Sequence, residues 1–307
     1  MTDSFPLLQT PHNALKLVIQ NLEVIDILSL SLTSTKTRMA LVPVNHPINL
    51  LTAFISRDTF ILEINGIDGQ RKVFCRAERF GTTGFSFTGL RNGRELWSFS
   101  ETNLRSWLLD IIRILNLPGI SRFNFCNATD ELENVAVDLF EGIQIRWLCS
   151  QNLLVARKLL KNSDSFQWGL SLSGNQRQEF LIQNMSGFSD RDAFETKITI
   201  DDLSMSNMRS IYLYHMYFPL KDYNRFLKCW IRGGTSNLKL LEVTRLGSFE
   251  QMYGVTTDED NFEERMFKGI PYKKFETSGR FEIRKKNGQR AMIEFKPRSF
   301  TMIVPRN

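Results

Sequence analysis

Residues 5–33 read FPLLQTPHNALKLVIQNLEVIDILSLSLT, and this leucine- and isoleucine-rich stretch carries the strongest fold signal in the chain. Pro11 suits a helix entry because its fixed φ and missing N–H cost nothing there. Apolar residues then recur at helical spacing, at Leu15, Val18, Ile19 and Leu22. A second helix is predicted over residues 24–32, and Ser34 suits the cap of a third over residues 35–41. Helices this short cannot bury all these side chains among themselves, so the surplus needs either the rest of the chain or another protein.

The composition is that of a folded protein with room for a substantial core. The 307 residues are 42% hydrophobic and include 24 phenylalanines, enough for one large domain or two smaller ones. No run approaches the ~20 apolar residues of a membrane span, and the N-terminus carries no secretory signal. We therefore expect an intracellular protein, cytoplasmic or nuclear, without membrane association.

The cysteines and histidines predict neither a metal site nor a catalytic centre. Four cysteines are scattered without a Cys-x-x-Cys pair, and no two of the three histidines stand four residues apart. In a reducing compartment the cysteines are expected to be free thiols. No Gly-x-Ser-x-Gly elbow occurs, and His215 has no obvious catalytic partner. The sequence therefore predicts a protein that is not an enzyme and has no cofactor.

After a predicted connector at residues 43–51, the pattern changes twice. Residues 54–99 are predicted to be β-rich, and an amphipathic helix follows over residues 104–115. Strands and helices then alternate. The predicted strands are 121–125, 143–148, 168–172, 180–183, 210–214 and 238–243, and the predicted helices are 131–140, 153–161, 202–208 and 220–231.

The spacing of these strands sets the predicted fold class. Several strand-to-strand intervals are about 23–30 residues, near the period of leucine-rich repeats. Asn287-Gly288, between two apolar runs, predicts a hairpin with a type I′ turn. The sequence therefore predicts an α+β protein. A short trihelical module precedes a β-rich segment and an irregular leucine-rich-repeat-like α/β stack that ends in a β-hairpin.

The N-terminal stretch resembles an F-box, the short helical module that docks onto the adaptor Skp1 of cullin-RING ubiquitin ligases. An F-box has a Leu-Pro pair, a Leu/Ile ladder, an Asp-Leu pair and a Ser-Lys followed by an Arg. The residues that can be laid on this pattern are Leu8, Pro11, Leu15, Ile19, Leu22, Asp26, Ile27, Leu28, Leu32, Ser34, Lys36 and Arg38. Leu8 and Pro11 are not adjacent, and Asn13 stands where an acidic residue is usual. We assign residues 1–45 to this module and residues 50–307 to a recognition domain.

Residues 180–246 resemble the F-box-associated domain of type 2, which occurs in a family of F-box proteins expanded in nematodes. The resemblance rests on four short stretches in the expected order, FLIQN at 180–184, IDDL at 200–203, NRFLK at 224–228 and LKLL at 238–241. Together the two resemblances imply a substrate-recognition subunit of an Skp1–cullin–F-box ubiquitin ligase. Such a subunit contributes no reacting group, and it binds Skp1 and, through it, cullin.

The F-box resemblance implies a set of Skp1-binding residues, some of which must also pack within the module. These residues are Leu8, Pro11, Leu15, Ile19, Ile27, Leu28 and Leu32. Their contact with Skp1 is expected to be apolar, with leucine and isoleucine side chains anchoring in a groove of the partner.

Target binding is predicted for strand residues that point away from the core, because alternate residues of a strand face opposite sides of its sheet. The residues expected to face inward are Phe123, Phe125, Ile145, Trp147, Ile211, Leu213 and Val243. The outward row is then Arg122, Asn124, Gln144, Arg146, Tyr212, Tyr214 and Glu242. Tyrosine and arginine are favoured interface anchors. The alternative is that this row is only a wet or helix-covered sheet face.

The C-terminal end is strongly basic and leaves a second function open. Residues 265–307 contain twelve Lys or Arg against three Asp or Glu, whereas the whole chain has a net charge of +6. A basic end with phenylalanines at 281, 295 and 300 is compatible with nucleic-acid binding. These phenylalanines alternate with polar residues, as in a half-buried strand, and specific RNA sheets need exposed aromatic rings. We therefore predict that the three rings belong to the core and that nucleic acid is the less expected partner, and a nucleic-acid-binding protein that uses the basic C-terminal β region is kept as the alternative function.

Overall fold

A computed structural model of the chain describes residues 10–33, 37, 41, 48–57, 59–66, 71–81, 84–91, 94–101, 104–128, 131–168, 174–190, 198–216, 218–235, 237–244, 259–275, 279–296 and 299–305. The chain divides into two compact units, Met1–Ser163 and Asp164–Asn307. Both units combine helices with a β-sheet, which confirms the mixed composition expected from the sequence. Residues 1–45 lie within the first unit, and their separation from residues 50–307 as a functional module stays a prediction.

The first unit begins with two short helices, α1 (His12–Asn21) and α2 (Val24–Thr33). The backbone N–H of Leu15 donates to the carbonyl of Pro11 at 2.9 Å, which confirms Pro11 as the helix entry. Of the predicted third helix, residues 37 and 41 are described and are helical, and the rest lies outside the described residues. The trihelical form of the module therefore stays a prediction.

The rest of the first unit is a sheet with three further helices in the described part of the chain. Its elements are β1 (Ile48–Arg57), β2 (Thr59–Gly66), β3 (Arg71–Gly81), β4 (Gly84–Arg91), β5 (Arg94–Glu101), α3 (Leu104–Ile114), β6 (Ile120–Ala128), α4 (Glu131–Phe140), β7 (Ile145–Ser150) and α5 (Leu153–Leu159). The strand order is β7-β6-β1-β2-β3-β4-β5. Strands β1 to β5 form an antiparallel meander, and β6 and β7 run parallel to β1.

Aromatic packing joins helix α4 of this unit to one face of its sheet, and hydrogen bonds join α3 to α4. The ring of Phe140 in α4 stacks on Phe123 of β6 with 4.0 Å between ring centroids, and it also meets Phe60 of β2 at 6.4 Å. Arg105 of α3 donates hydrogen bonds to the carbonyls of residues 138, 139 and 141 at the end of α4. These carbonyls have no partner within the helix, so the arginine both caps α4 and fixes it beside α3.

The second unit alternates parallel strands with helices and then turns antiparallel. Its elements are β8 (Ser163–Trp168), α6 (Gly174–Leu181), β9 (Gly187–Asp190), α7 (Ile200–Ser204), β10 (Ser210–Leu213), α8 (Leu220–Ile231), β11 (Leu240–Thr244), α9 (Glu259–Phe267), β12 (Tyr272–Phe275), β13 (Arg280–Arg284), β14 (Arg290–Lys296) and β15 (Ser299–Ile303). The strand order is β12-β13-β14-β15-β11-β10-β9-β8. Strands β8 to β11 are parallel, and β15, β14, β13 and β12 continue the sheet in antiparallel pairs.

Local hydrogen bonds explain where two helices of this unit lie. Helix α7 begins with a capping box, in which the Thr199 side chain accepts from the backbone N–H of Asp202 and the Asp202 carboxylate accepts from that of Thr199. The buried Asn224 of α8 donates to the carbonyl of Met266 at 2.6 Å and to that of Lys268 at 3.2 Å. Asn224 thus satisfies the end of α9 and ties it to α8.

Several predicted elements differ from the structure. The connector at residues 43–51 is wrong over 48–51, where β1 begins. The strand at 180–183 is also wrong. Phe180 and Leu181 are the last two residues of helix α6, and Ile182 lies exposed in the turn that follows. A short apolar run has no period that separates a strand from a buried helix segment. Strands β9 and β12 and helix α9 were not predicted from the sequence.

For two further predicted elements the type is correct but the bounds are shifted along the sequence. The helix predicted at 202–208 is α7 at Ile200–Ser204, and the strand predicted at 168–172 is β8 at Ser163–Trp168. Residues 169–173 lie outside the described residues. The alternation of strands and helices is confirmed, whereas its likeness to leucine-rich repeats stays a prediction.

The hairpin at Asn287-Gly288 is confirmed, but its turn is not type I′. Strands β13 and β14 pair in register, and the N–H of Lys285 donates to the carbonyl of Gln289 at 2.9 Å. Gly288 has φ of +83°, whereas Asn287 has no positive φ, and a type I′ turn requires positive φ at both central residues. The loop is therefore one residue longer, with a single left-handed position occupied by glycine.

Candidate functional site

In the second unit, the described helices pack on one face of the sheet. Tyr223 of α8 lies 4.4 Å from Phe300 of β15 between ring centroids and 5.7 Å from Phe295 of β14. Phe180 of α6 stacks on Phe166 of β8 at 5.3 Å. Phe267 of α9 meets Phe281 of β13 at 4.7 Å. We call this the helical face. Phe281 and Phe300 are buried in it and Phe295 contacts both Tyr223 and Phe300, so the prediction that these three rings belong to the core is confirmed.

We call the opposite side of the same sheet the open face; its positions Ser165 of β8 and Ser189 of β9 are buried, and its positions in β10 to β14 include exposed or partly exposed side chains. On this face, side chains of neighbouring strands form cross-strand rows. One row is set by the register of seven strands and consists of Gln167, Ser189, Tyr212, Glu242, Thr301, Glu294 and Arg280. Tyr212 and Glu242 lie on the side away from the core, as predicted; they are direct neighbours in this row, and both are partly exposed. Tyr214 follows Tyr212 by two residues, so it points to the same side.

The two tyrosines and Glu242 influence one another. Burial raises the pKa of Tyr212, and the nearby Glu242 and Tyr214 raise it further, against a hydrogen bond from Ser210 that lowers it. The phenol of Tyr212 therefore keeps its proton and offers both a donor and an apolar ring. Such a side chain can anchor a partner through contact area and one hydrogen bond together.

A second row on the open face contains apolar side chains. Leu240 of β11 pairs with Ile303 of β15, which pairs in turn with Met292 of β14. Ile303 is 46% exposed, although it sits in a strand with neighbours on both sides. The open face therefore combines an apolar row with two tyrosine side chains, and tyrosine is enriched in protein interfaces, whereas glutamate is depleted there.

The predicted outward residues of the first unit do not form one row. Arg122 and Asn124 of β6 lie opposite Phe123 and Phe125, as predicted, but their aligned neighbours in β7 are Trp147 and Cys149. Arg146 precedes Trp147 by one residue and so points to the other side of the sheet. The prediction that Trp147 faces inward with Phe123 is wrong, because Leu148 is aligned with Phe123.

The register explains this error. Aligned residues of β6 and β7 differ by 25 in number, as in Ile120 with Ile145, and an odd difference puts residues of equal parity on opposite faces. Gln144 and Arg146 are exposed at the entry to β7, separate from Arg122. The placement of target binding on Arg122, Asn124 and Arg146 stays a prediction, now divided between two sides of the sheet.

The residues expected to bind Skp1 are mostly internal. Leu15, Ile19, Ile27 and Leu28 are all buried in the chain alone, so they stabilise the helical pair before any partner binds. Pro11 is exposed. Leu8 and the side chain of Leu32 lie outside what the structure describes. The prediction of Skp1 binding through this module stays open, but four of its seven residues do not offer accessible surface.

Helix α1 instead exposes apolar side chains that the F-box pattern did not single out. Leu17 is 61% exposed and Val18 is 41% exposed. They are consecutive residues about 100° apart around the helix axis, and Leu17 lies on the side of α1 that turns away from Leu15 and Ile19. The signal available in the sequence was the wide apolar stripe of α1, which exceeds what one packed face of a ten-residue helix can bury.

Reactive chemistry is sparse in the described part of the chain. A hydrogen bond from Cys149 lowers the pKa of Cys126 to about 7, although burial acts in the opposite direction. Among the described residues, no three His, Cys, Asp or Glu side chains are grouped so as to hold a metal ion. None of the described helices combines the length and the apolarity that crossing a membrane requires. His215, considered as a base, lies exposed in a turn with φ of +58°.

Comparison with known proteins relates part of the second unit to a described family. Residues 176–243 match the sequence pattern of a family described as F-box associated. The matched stretch runs from α6 to β11 and agrees with the region predicted from residues 180–246. It includes β10 and β11, the strands that carry Tyr212 and Glu242. No curated protein and no solved structure matches the chain.

Proposed function

We propose that this chain is the substrate-recognition subunit of an Skp1–cullin–F-box ubiquitin ligase, and that the open face of its second unit captures the target protein. The observation that carries the proposal is the F-box-associated match across α6 to β11. The matched elements supply both the helices that hold the sheet and the strands that present Tyr212 and Glu242. Because the matched family is associated with F-boxes, we assign target recognition to this surface.

The chemistry of such a subunit is proximity. A ligase holds a target lysine near a charged ubiquitin carrier and thereby raises the effective concentration of the reacting groups. The recognition subunit needs a binding surface and no catalytic group, so we propose that the chain is not an enzyme. The cytoplasm and the nucleus, where ubiquitin ligases of this class act, are the proposed locations.

For the contact with Skp1 we propose the exposed side of α1. Leu17 and Val18 are the large apolar side chains that this helix leaves accessible, and apolar helix residues in a partner's groove are a common recognition mode. Leu15, Ile19, Ile27 and Leu28 support the contact indirectly, because they hold α1 and α2 in place. Pro11 is exposed at the start of α1 and lies at the edge of the same surface.

Target capture by the open face is testable with two tyrosines. We expect the Tyr212→Ala/Tyr214→Ala variant to lose most of the proteins that the wild-type chain retains from a proteasome-inhibited extract, measured by quantitative mass spectrometry. The reason is that buried tyrosine anchors commonly contribute about 2 kcal/mol or more to an interface. Skp1 retention should be unchanged, because α1 is not altered.

The control is Tyr212→Phe/Tyr214→Phe, which keeps both rings and removes only the hydroxyls. We expect this variant to retain most of the capture. If the alanine variant, folded by circular dichroism, captures the same proteins in the same amounts as wild type, the open face is not the target-binding surface.

A further inference from the structure

Four cations stand on the β13–β14 end of the open face, and two carboxylates hold them in place. We call this group the cation array; its members are Arg280, Arg284, Arg290, Lys296, Glu282 and Glu294. Positions 280, 282 and 284 alternate along β13, and 290, 294 and 296 alternate along β14, where 294 is aligned with 280 and 290 with 284. All six side chains therefore emerge on the same side of the sheet, opposite the helices.

Each carboxylate uses its two oxygens on two different cations. Oε1 of Glu294 accepts from Nε of Arg280 at 3.2 Å, and its Oε2 lies 3.3 Å from Nζ of Lys296. Oε1 of Glu282 lies 2.7 Å from Arg284, and its Oε2 lies 3.9 Å from Nη1 of Arg290. Burial raises the pKa of Glu294, but the hydrogen bonds from Lys296 and Arg280 outweigh it and the net shift is downward, so this carboxylate stays charged.

The two carboxylates of the array are mostly buried, whereas its four cations are mostly exposed. The side chains of Glu282 and Glu294 are 10% and 19% exposed, whereas the four cations are between 54% and 63% exposed. The acceptor oxygens are thus occupied and largely covered, while each guanidinium has five N–H donors and spends only one or two of them here. What the array offers to a partner is therefore donors and a net charge of +2.

The array adjoins the apolar row. Met292 lies between Arg290 and Glu294 along β14, and the row continues through Ile303 to Leu240. A ligand that fits this part of the face needs acidic groups and an apolar side chain together. The two cation pairs sit four residues apart along β13, about 13 Å, which is a distance that an extended peptide segment spans with four residues.

We propose that the cation array and the apolar row bind an extended acidic segment of the target protein, with Asp or Glu side chains on the guanidinium groups and one apolar side chain against Ile303. Carboxylates pair with arginine through two parallel hydrogen bonds, so the exposed guanidinium edges suit this chemistry. The inference rests on the proposed function, because it assigns a chemical class to the target that the open face captures.

A nucleic acid fits the same surface less well. Single strands bind where bases stack on exposed aromatic rings, and the phenylalanines of β13, β14 and β15 pack on the helical face instead. The partly exposed Phe275 of β12 is aligned with Arg280, but Nζ of Lys273 lies over its ring at 5.3 Å from the centroid. The phosphate backbone would also pass over Glu282 and Glu294, which repel it. In an acidic peptide, the carboxylates are separated by neutral backbone, so they can contact the arginines without lying directly over Glu282 and Glu294.

The test is a fluorescence anisotropy titration of the full chain at low ionic strength. The probe is a fluorescein-labelled peptide in which Asp and Glu residues flank a single Leu. Two comparison ligands carry the same label, namely a peptide of equal length in which Lys replaces the acidic residues and a single-stranded DNA oligonucleotide. We expect the acidic peptide to bind, the basic peptide not to bind, and the affinity for the acidic peptide to fall as salt is added.

Two variants locate the binding. The Arg284→Gln/Arg290→Gln variant is expected to lower the affinity for the acidic peptide about tenfold, because two charge-assisted contacts are lost. Arg225→Gln/Arg232→Gln removes the same charge from exposed positions at α8, where Arg225 pairs with Asp201 and Asp222 on the helical side, and should leave affinity unchanged. If the first variant unfolds, Arg290→Gln alone serves, because its ion pair at 3.9 Å is the longest of the four.

Three results would overturn the proposal, namely no binding of the acidic peptide, equal weakening by both variants, or tighter binding of the oligonucleotide than of the peptide. Failure of the array is distinguishable from failure of the proposed function. Skp1 binding through α1 and target capture through Tyr212 and Tyr214 are measured with other residues, and both can persist when the array binds nothing acidic.

Discussion

At the scale of single residues, the pair Cys126 and Cys149 gives a measurable pH dependence. Cys149 donates a hydrogen bond to the Cys126 sulfur and so lowers the pKa of Cys126 to about 7. We expect the alkylation rate of Cys126 by iodoacetamide to be half-maximal near that pH, because the thiolate is the nucleophile. Site-resolved mass spectrometry of the labelled chain measures this rate, and Cys229 in the same sample provides an internal comparison.

The variant Cys149→Ala removes the donor, so the midpoint for Cys126 should move upward toward the ordinary thiol value. The sign for stability follows from the same shift. A depressed pKa in the folded chain adds stability that is fully present above the unfolded thiol's pKa and is lost as pH falls through about 7. An unchanged midpoint in Cys149→Ala would show that this hydrogen bond does not control the thiol.

In the N-terminal stretch, the sequence predicted which residues lie in helices, but it did not predict which of their side chains are exposed. The N-terminal pattern identified Leu15, Ile19, Ile27 and Leu28 as apolar helix positions, and the structure confirms that they are in helices. Which side of a helix is covered depends on the sheet packed against it, and that is not encoded in the local spacing. The exposed Leu17 was therefore missed.

At the scale of elements, the start of β6 depends on one close backbone approach. A Cβ added at Gly119 would lie 2.2 Å from the carbonyl oxygen of Gln144, the group to which Ile120 donates its N–H at 2.8 Å. We expect Gly119→Ala to lower the free energy of unfolding by about 3 kcal/mol. The added Cβ would clash with the backbone of Gln144, which cannot move aside as a flexible side chain could. Urea denaturation followed by circular dichroism measures the difference.

Gly142 provides the comparison for this prediction. Its φ is +76°, and an added Cβ would meet nothing within 4 Å. Gly142→Ala should therefore cost about 1 kcal/mol, the penalty of a left-handed backbone without a clash. Equal losses in the two variants would mean that the contact with Gln144 relaxes and that β6 does not need glycine at position 119.

The best predicted elements are those whose pattern has a single interpretation. Helices α3 and α8 carry clean stripes of large apolar residues and end near their predicted limits. The run at 180–183 was assigned to a strand and belongs to a helix, because three adjacent apolar residues suit either structure. Strand β9 was missed because its four residues include glycine, serine and aspartate.

At the scale of the whole molecule, the candidate site depends on strand register. The pairing of Tyr212 with Glu242 was predictable, because β10 and β11 follow each other around helix α8. The cation array was not predictable in detail, since it requires knowing that positions 280 and 294, and 284 and 290, are opposite each other. The basic composition of the C-terminal region was visible, but which side of the sheet carries the charge was not.

The measurement that tests the central claim most directly is co-purification of the full chain with Skp1. We expect the wild-type chain to form a stable complex and the Leu17→Asp/Val18→Asp variant to lose it, because two exposed apolar side chains of α1 become charged at the proposed contact. The control Lys16→Asp changes the charge of α1 by the same two units at an exposed position that does not face Leu17 or Val18 on the helix surface, and it should retain Skp1. A wild-type chain that is folded and fails to bind Skp1 would contradict the account.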